Sequence, residues 1–258
     1  MSTATPTELG TVTLFGRACA AEWLRLRTVR TTWWCLLAAA VTIIGIGTAA
    51  GIDEGSGDVS YAPPPAWEAG EIAVLPGQFA LLVLALLAVT PEYGSRAIGT
   101  TLQWTPRRGV LVAARMLVPV AVATGAGVVL TLAADLAAWT AFPSLELTVA
   151  GLADSLGWVA VVLAAGSLLA VGLGFALRST AGALTCVFLL MLVLPTLLPA
   201  FGLDWMDTLG ELLPGSGAIF LLLGEPSMST PRALAVLLGW SAAAAVAGAL
   251  SLLRRDAG

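Results

Sequence analysis

Six apolar stretches, each close to the length of a bilayer crossing, succeed one another along the chain, and little else can be built from such a pattern. They run over residues 33–52, 72–90, 116–138, 156–177, 181–200 and 233–253. A helix needs about 20 predominantly apolar residues to cross the hydrocarbon core, and lipid offers no water to an unpaired backbone group. With 58% hydrophobic and 11% charged residues, the chain is excluded from the soluble domains with an ordinary surface. The expected fold is therefore an all-α integral membrane protein, one domain over residues 1–258, with six transmembrane helices.

The charges are few, and their distribution is informative. All 12 basic residues are arginine, while lysine and histidine are absent. Without lysine there is no GxxxxGK[ST] loop to cradle a nucleotide phosphate. Without histidine there is no HExxH zinc site, no Ser/His/Asp triad and no imidazole proton shuttle. The chain is thus not expected to be an enzyme, to hold a metal or cofactor, or to bind nucleic acid. Cys19, Cys35 and Cys186 lack CxxC spacing and lie away from the expected outer loops, so they read as buried small hydrophobes rather than disulfide partners.

In chain order, Met1 to Thr13 is polar and lacks the apolar core and cleavage pattern of a signal peptide. Over Val12 to Arg30, Val12, Phe15, Cys19, Trp23 and Leu26 recur at helical steps, with Arg17, Arg25, Arg27 and Arg30 around them. This predicts an amphipathic helix in the headgroup region, Phe15 and Trp23 toward the membrane and Arg25, Arg27 and Arg30 toward anionic lipid. A solvated helix that merely obeys the positive-inside rule is the alternative. Gly47 and Gly51 make a GxxxG pair in the first span, and Gly166, Ala170 and Gly174 share one face of the fourth, so close helix packing is expected at both. Pro195 and Pro199 break the end of the fifth span. Between the fifth and sixth spans, the run Ala218 to Leu223 is too short to cross and predicts a re-entrant or interfacial outer hairpin.

Eleven of the 12 arginines fall on one face of this topology and only Arg232 on the other, whereas the connection Asp53 to Glu71 carries five carboxylates and no arginine. Cytoplasmic loops collect arginine, so both termini are expected in the cytoplasm. On that side lies a polar island, residues 91–115, PEYGSRAIGTTLQWTPRRGVLVAAR. It is too short for a domain and too specifically furnished for a bare linker.

Here the residues carry a resemblance. EWLRLRTVRTTWW before the first span and LAVTPEYGSRAIGTTLQWTPRRGVLVAAR across the second and third resemble the permease subunit of ABC-2 type ATP-binding-cassette exporters, in the form common in high-GC Gram-positive bacteria. The likeness extends over essentially the whole chain. Its most specific part is the island: Glu92 and Gly94, the threonine pair Thr100 and Thr101, then Pro106 with Arg107, Arg108 and Arg115. Trp104 stands where the family pattern has a small residue.

The resemblance implies a bacterial plasma-membrane exporter. In this family the loop between spans two and three carries a coupling helix that docks on a separate cytoplasmic ATPase subunit, present in two copies, which binds ATP and Mg. A second permease chain, identical or related, completes the assembly. Ile98, Leu102 and Trp104 would then supply apolar contact with the ATPase, and Arg96, Arg107 and Arg108 would meet its carboxylates or lipid phosphates; the alternative is that these arginines only set topology. Glu92 reads either as a gate partner, bonding to Arg96 at i,i+4, or as a solvated helix end. The almost uncharged spans, above all two and five, suit a hydrophobic or amphipathic cargo such as a drug, natural product, lipopeptide or lipid, unless those faces only meet lipid. Asp135, within the third span, reads as a functional intramembrane carboxylate or as a structural one near the interface. A stand-alone proton-coupled carrier without an ATPase is the second reading of the chain.

Overall fold

A computed structural model describes residues 10–56, 64–90, 108–224 and 228–255. Its helices are α1 (Thr11–Thr28), α2 (Arg30–Ser56), α3 (Trp67–Leu87), α4 (Arg108–Ala141), α5 (Val149–Leu177), α6 (Thr180–Phe188), α7 (Leu194–Leu197), α8 (Asp204–Glu211), α9 (Pro214–Leu223) and α10 (Thr230–Arg255). Among the described residues six segments are long and apolar enough to cross a membrane: Arg30–Asp53, Trp67–Leu87, Gly109–Ala141, Val149–Leu177, Thr180–Phe201 and Thr230–Leu252. This is the architecture of a multi-pass membrane protein. Several helices outrun the apolar windows because a helical backbone continues through turns whose charges end the window. Thus α3 begins at Trp67 and takes in Glu68 and Glu71.

The spans alternate in direction, so the bundle has a basic end, where α1 and the last turn of α10 lie, and an acidic end opposite. Contact between spans is made by small residues. Gly47 and Gly51 of α2 face Ala134 and Ala138 of α4, where an added Cβ would come within 2.8 and 2.4 Å of the alanine methyls. The expected GxxxG pair is therefore matched by a second small pair at the same four-residue step. On α5, Gly166 receives Leu82 and Gly174 receives Leu86, with Ala170 fully buried between them. The other side of α5 comes closer still to its neighbour. Gly172 lies against the backbone of Ala244 on α10, and Gly248 lies against the carbonyl of Gly172, with added Cβ atoms at 2.4 and 2.6 Å. Beside them Ser241 donates to the carbonyls of Ala165 and Leu237 at 2.7 and 2.8 Å.

At the acidic end the two connections are stitched together. Ala66 N–H donates to the Glu146 carbonyl at 2.9 Å, and Glu146 N–H donates to the Pro64 carbonyl at 3.0 Å. Trp67 rests on Gly151, where a Cβ would meet its ring at 2.4 Å. In the fifth span, proline at 195 cannot donate to the helix and its ring crowds the carbonyl four residues back. The chain answers with a π-helical turn over Leu189–Val193 before α7, and Gly215 of α9 sits on the Met191 carbonyl, where a Cβ would come to 2.2 Å. The expected short apolar run lies within α9, which makes an angle of 80° with α8. This bent pair is fastened to the sixth span by Trp240 Nε1–H donating to the Leu212 carbonyl at 2.8 Å and by the Arg232–Glu211 ion pair at 2.8 Å. The three cysteines are free and only half-buried. Expected burial fails for Cys19 and Cys35 because both line hollows between helices rather than close-packed contacts.

Gly172→Ala is expected to lower stability in detergent by about 1–3 kcal/mol, since its methyl meets backbone that cannot turn aside. Gly125→Ala, with nothing within 4 Å of its Cβ, should leave the unfolding midpoint unchanged, and thermal unfolding of the two variants side by side checks the contrast.

Candidate functional site

The described residues at the basic end hold the two roots of the connection between the second and third spans: Ala88 to Thr90 after α3, and the first turns of α4. Residues 91–107 lie outside the described residues, and with them Glu92, Arg96, Ile98, Thr100, Thr101, Leu102, Trp104, Pro106 and Arg107. Arg108 opens α4.

Helix α1 packs chiefly on α4 and much less on α2. The joint between α1 and α2 is a single extended residue, Val29 (φ −83°, ψ 123°). It is braced by Trp33 Nε1–H donating to the Arg27 carbonyl at 3.1 Å and by Thr28 Oγ1–H donating to the Arg25 carbonyl at 2.9 Å. The face that α1 turns inward carries Phe15, Cys19 and Leu26, as the periodicity predicts. Its fourth member is Glu22 rather than Trp23: Glu22 is buried, whereas Trp23 is 47% exposed and Val12 is 85% exposed. The Arg27 guanidinium lies over the Trp23 ring, 5.9 Å from its centroid. Arg30, the first residue of α2, is exposed.

A carboxylate on the inward stripe of a helix must meet a cation. Glu22 meets two. Arg115 of α4, itself buried, brings Nε to 3.2 Å of Glu22 Oε1, and Arg25, one turn along α1, brings Nη2 to 2.7 Å of Oε2. Arg25 Nη2 also donates to the carbonyl of Ala88, the residue that follows α3. So Arg25, expected to face lipid, turns inward because a helix C-terminus and a buried carboxylate both attract its charge. One carboxylate and two guanidiniums thereby join α1, α3 and α4. A comparable pin closes the other side of this end: Arg178, in the left-handed conformation (φ 52°), donates to the Ser251 carbonyl of α10 at 3.0 Å.

Sequence reading passed over Glu22. The available signal was a lone acidic residue within an arginine-rich helix, seven positions after Phe15 and four before Leu26 and therefore on their face. Periodicity by residue type had assigned the position beside it to the stripe instead.

Two neighbouring, half-open hollows, both touching Thr31 and Cys35, lie toward this end. One of about 470 Å³ is lined by Arg25, Thr32, Cys35, Leu84 and Ala88. The next, about 380 Å³ and almost wholly apolar, lies between spans one, two and five, against Trp34, Phe79, Leu82, Val83, Val187 and Phe188. Asp135 is remote from both. It is fully buried, its Oδ1 rests where a Cβ on Gly70 would come within 2.2 Å, and neither carboxylate oxygen makes a hydrogen bond among the described residues.

No protein-family model and no curated protein matches the chain. What can be said of the site therefore rests on its own geometry: a basic end where two loop roots and an N-terminal helix are held by buried charge, and an apolar hollow above it.

Removing one member of a buried ion pair strands the other, so Glu22→Ala is expected to cost about 3–5 kcal/mol. Exchanging both partners for apolar residues, Glu22→Leu with Arg115→Met, should recover most of that loss. Thermal or chemical unfolding of the three chains in one detergent measures both effects.

Proposed function

We propose that the chain is the permease subunit of an ABC-2 type exporter in a bacterial plasma membrane, with both termini cytoplasmic. Separate ATPase subunits, two per assembly, burn ATP with Mg and push on the connection 91–115. A second permease chain, identical or related, completes the pathway. The observation that carries this reading is the arginine-rich island between the second and third spans, in a chain that has no lysine with which to handle nucleotide itself. The anchoring of both island roots to α1 supports it, since a loop that transmits force needs firm attachments. The apolar hollow of about 380 Å³ between spans one, two and five has the lining expected of a path for a hydrophobic or amphipathic compound, moved outward. In this reading α1 lies in the cytoplasmic headgroup layer, with Trp23 and Arg27 toward lipid, and α8 with α9 forms a re-entrant cap over the outer mouth.

One observation favours the second reading, a proton-coupled carrier without an ATPase: Asp135 is a fully buried carboxylate inside the third span, six residues before its end. Intramembrane carboxylates of that kind mark ion or proton pathways in carriers.

Co-purification separates the two readings. An ATPase subunit is expected to travel with the chain in mild detergent, and replacing Gly99 to Gln103 by acidic residues should abolish cargo-stimulated ATP hydrolysis in the reconstituted complex while membrane insertion persists. Full transport by the purified chain alone would select the carrier, and stimulation that survives the replacement would remove the coupling role of the island.

A further inference from the structure

Three observations converge on Glu22. It is a buried carboxylate on a helix whose remaining inward residues are mostly apolar. It meets Arg115 of α4 at 3.2 Å and Arg25 of its own helix at 2.7 Å. Arg25 in turn donates to the Ala88 carbonyl, two residues before Thr90, the last described residue before the island. Ala88 stands at the root where the island leaves α3, and Arg115 lies two turns into α4, beyond the root where the island returns. The same carboxylate therefore reaches both.

Stability alone does not account for such an arrangement. A buried ion pair recovers its desolvation cost only with very good geometry, and apolar residues of similar volume hold helices together as well or better. What charged groups supply and apolar ones do not is a defined register, because a carboxylate oxygen accepts from a guanidinium only at fixed positions, as Glu22 Oε1 does from Arg115 Nε. The register specified here is that of α1 against the two island roots. On the other side of α1 a single extended residue, Val29, breaks the helix before α2, so any bending between the two is confined to that residue and its braces.

We propose that Glu22 is a positioning residue that yokes α1 to both island roots, so that α1, the end of α3 and the start of α4 move as one body hinged at Val29. Displacement of the island then reaches the first span through α1 rather than through the loop alone. This deepens the exporter reading in what it says of transmission, but the rigid yoke itself stands without an ATPase.

The test uses the purified chain in lipid nanodiscs, with Cys19, Cys35 and Cys186 replaced by alanine and nitroxide labels on Leu24→Cys and Leu117→Cys. Those positions are 62% and 53% exposed on α1 and α4. Pulsed electron resonance should give one narrow distance distribution for the otherwise native chain and a broadened one for Glu22→Gln. Glu22→Arg with Arg115→Glu, which returns the carboxylate to α4 facing the guanidiniums on α1, should narrow it again. A distribution unchanged by Glu22→Gln overturns the yoke. In the complex with its ATPase, Glu22→Gln should cut the ratio of cargo-stimulated to basal hydrolysis about five- to tenfold, the scale of ordinary coupling between sites, and the charge exchange should restore most of it. An unchanged ratio beside a broadened distribution overturns the transmission role and leaves the yoke as architecture. A native complex that shows no stimulation at all overturns the exporter reading, while the distance measurement still decides the yoke.

Discussion

Inside a bilayer an apolar side chain gains nothing by leaving lipid for another apolar side chain, so spans hold together only where their backbones can come very near. The fourth span is where this protein meets that constraint. It presents Gly166, Ala170 and Gly174 to the second span and Gly172 to the sixth, and at Gly172 and Gly248 the two backbones touch with no room for a methyl on either side. Ser241, donating to the Ala165 carbonyl across the same contact, adds a polar tie that lipid cannot replace. With the fourth span gripped on both faces, the second span is fixed, and through Gly47 and Gly51 the first and third follow. The bridge between residues 65 and 146 closes the acidic end over them.

The basic end is organised by a different force. Arginines that a topology rule counts merely as charge act there as fasteners: Arg178 on the Ser251 carbonyl, Arg25 on the Ala88 carbonyl, Arg115 on Glu22. Two of these reach backbone carbonyls near helix C-termini, where the helix dipole places partial negative charge. A guanidinium suits the task because it stays charged and offers several donors in a fixed plane. The same residues can thus decide orientation during insertion and register after folding, and under the proposed exporter reading they also hold the island that a partner would push.

The fifth span stands apart from both ends. Its prolines deny it a regular helix, and the π-helical turn before Pro195 presents the Met191 carbonyl to Gly215 of the bent pair α8 and α9. In this way the irregular span and the bent pair are joined by close backbone contact rather than by side-chain packing. The apolar hollow beside Val187 and Phe188 opens along this least regular element, which is where a path that must widen and close would be placed in the proposed reading.

The residues by themselves determined the six crossings, the sidedness of the arginines and the small-residue faces at Gly47, Gly51, Gly166, Ala170 and Gly174, because length, charge and four-residue spacing are properties of a single helix. They did not disclose what each face meets. That Gly172, on the opposite side of the same helix, would touch Gly248, 76 positions later, depends on how the two spans cross. Glu22 was invisible for the same reason: on one helix it is a stray carboxylate in an apolar stripe, and only the arrival of Arg115 from the third span makes its burial possible. Pairing between distant helices depends on the geometry of both partners at once, so the tertiary structure alone could decide it.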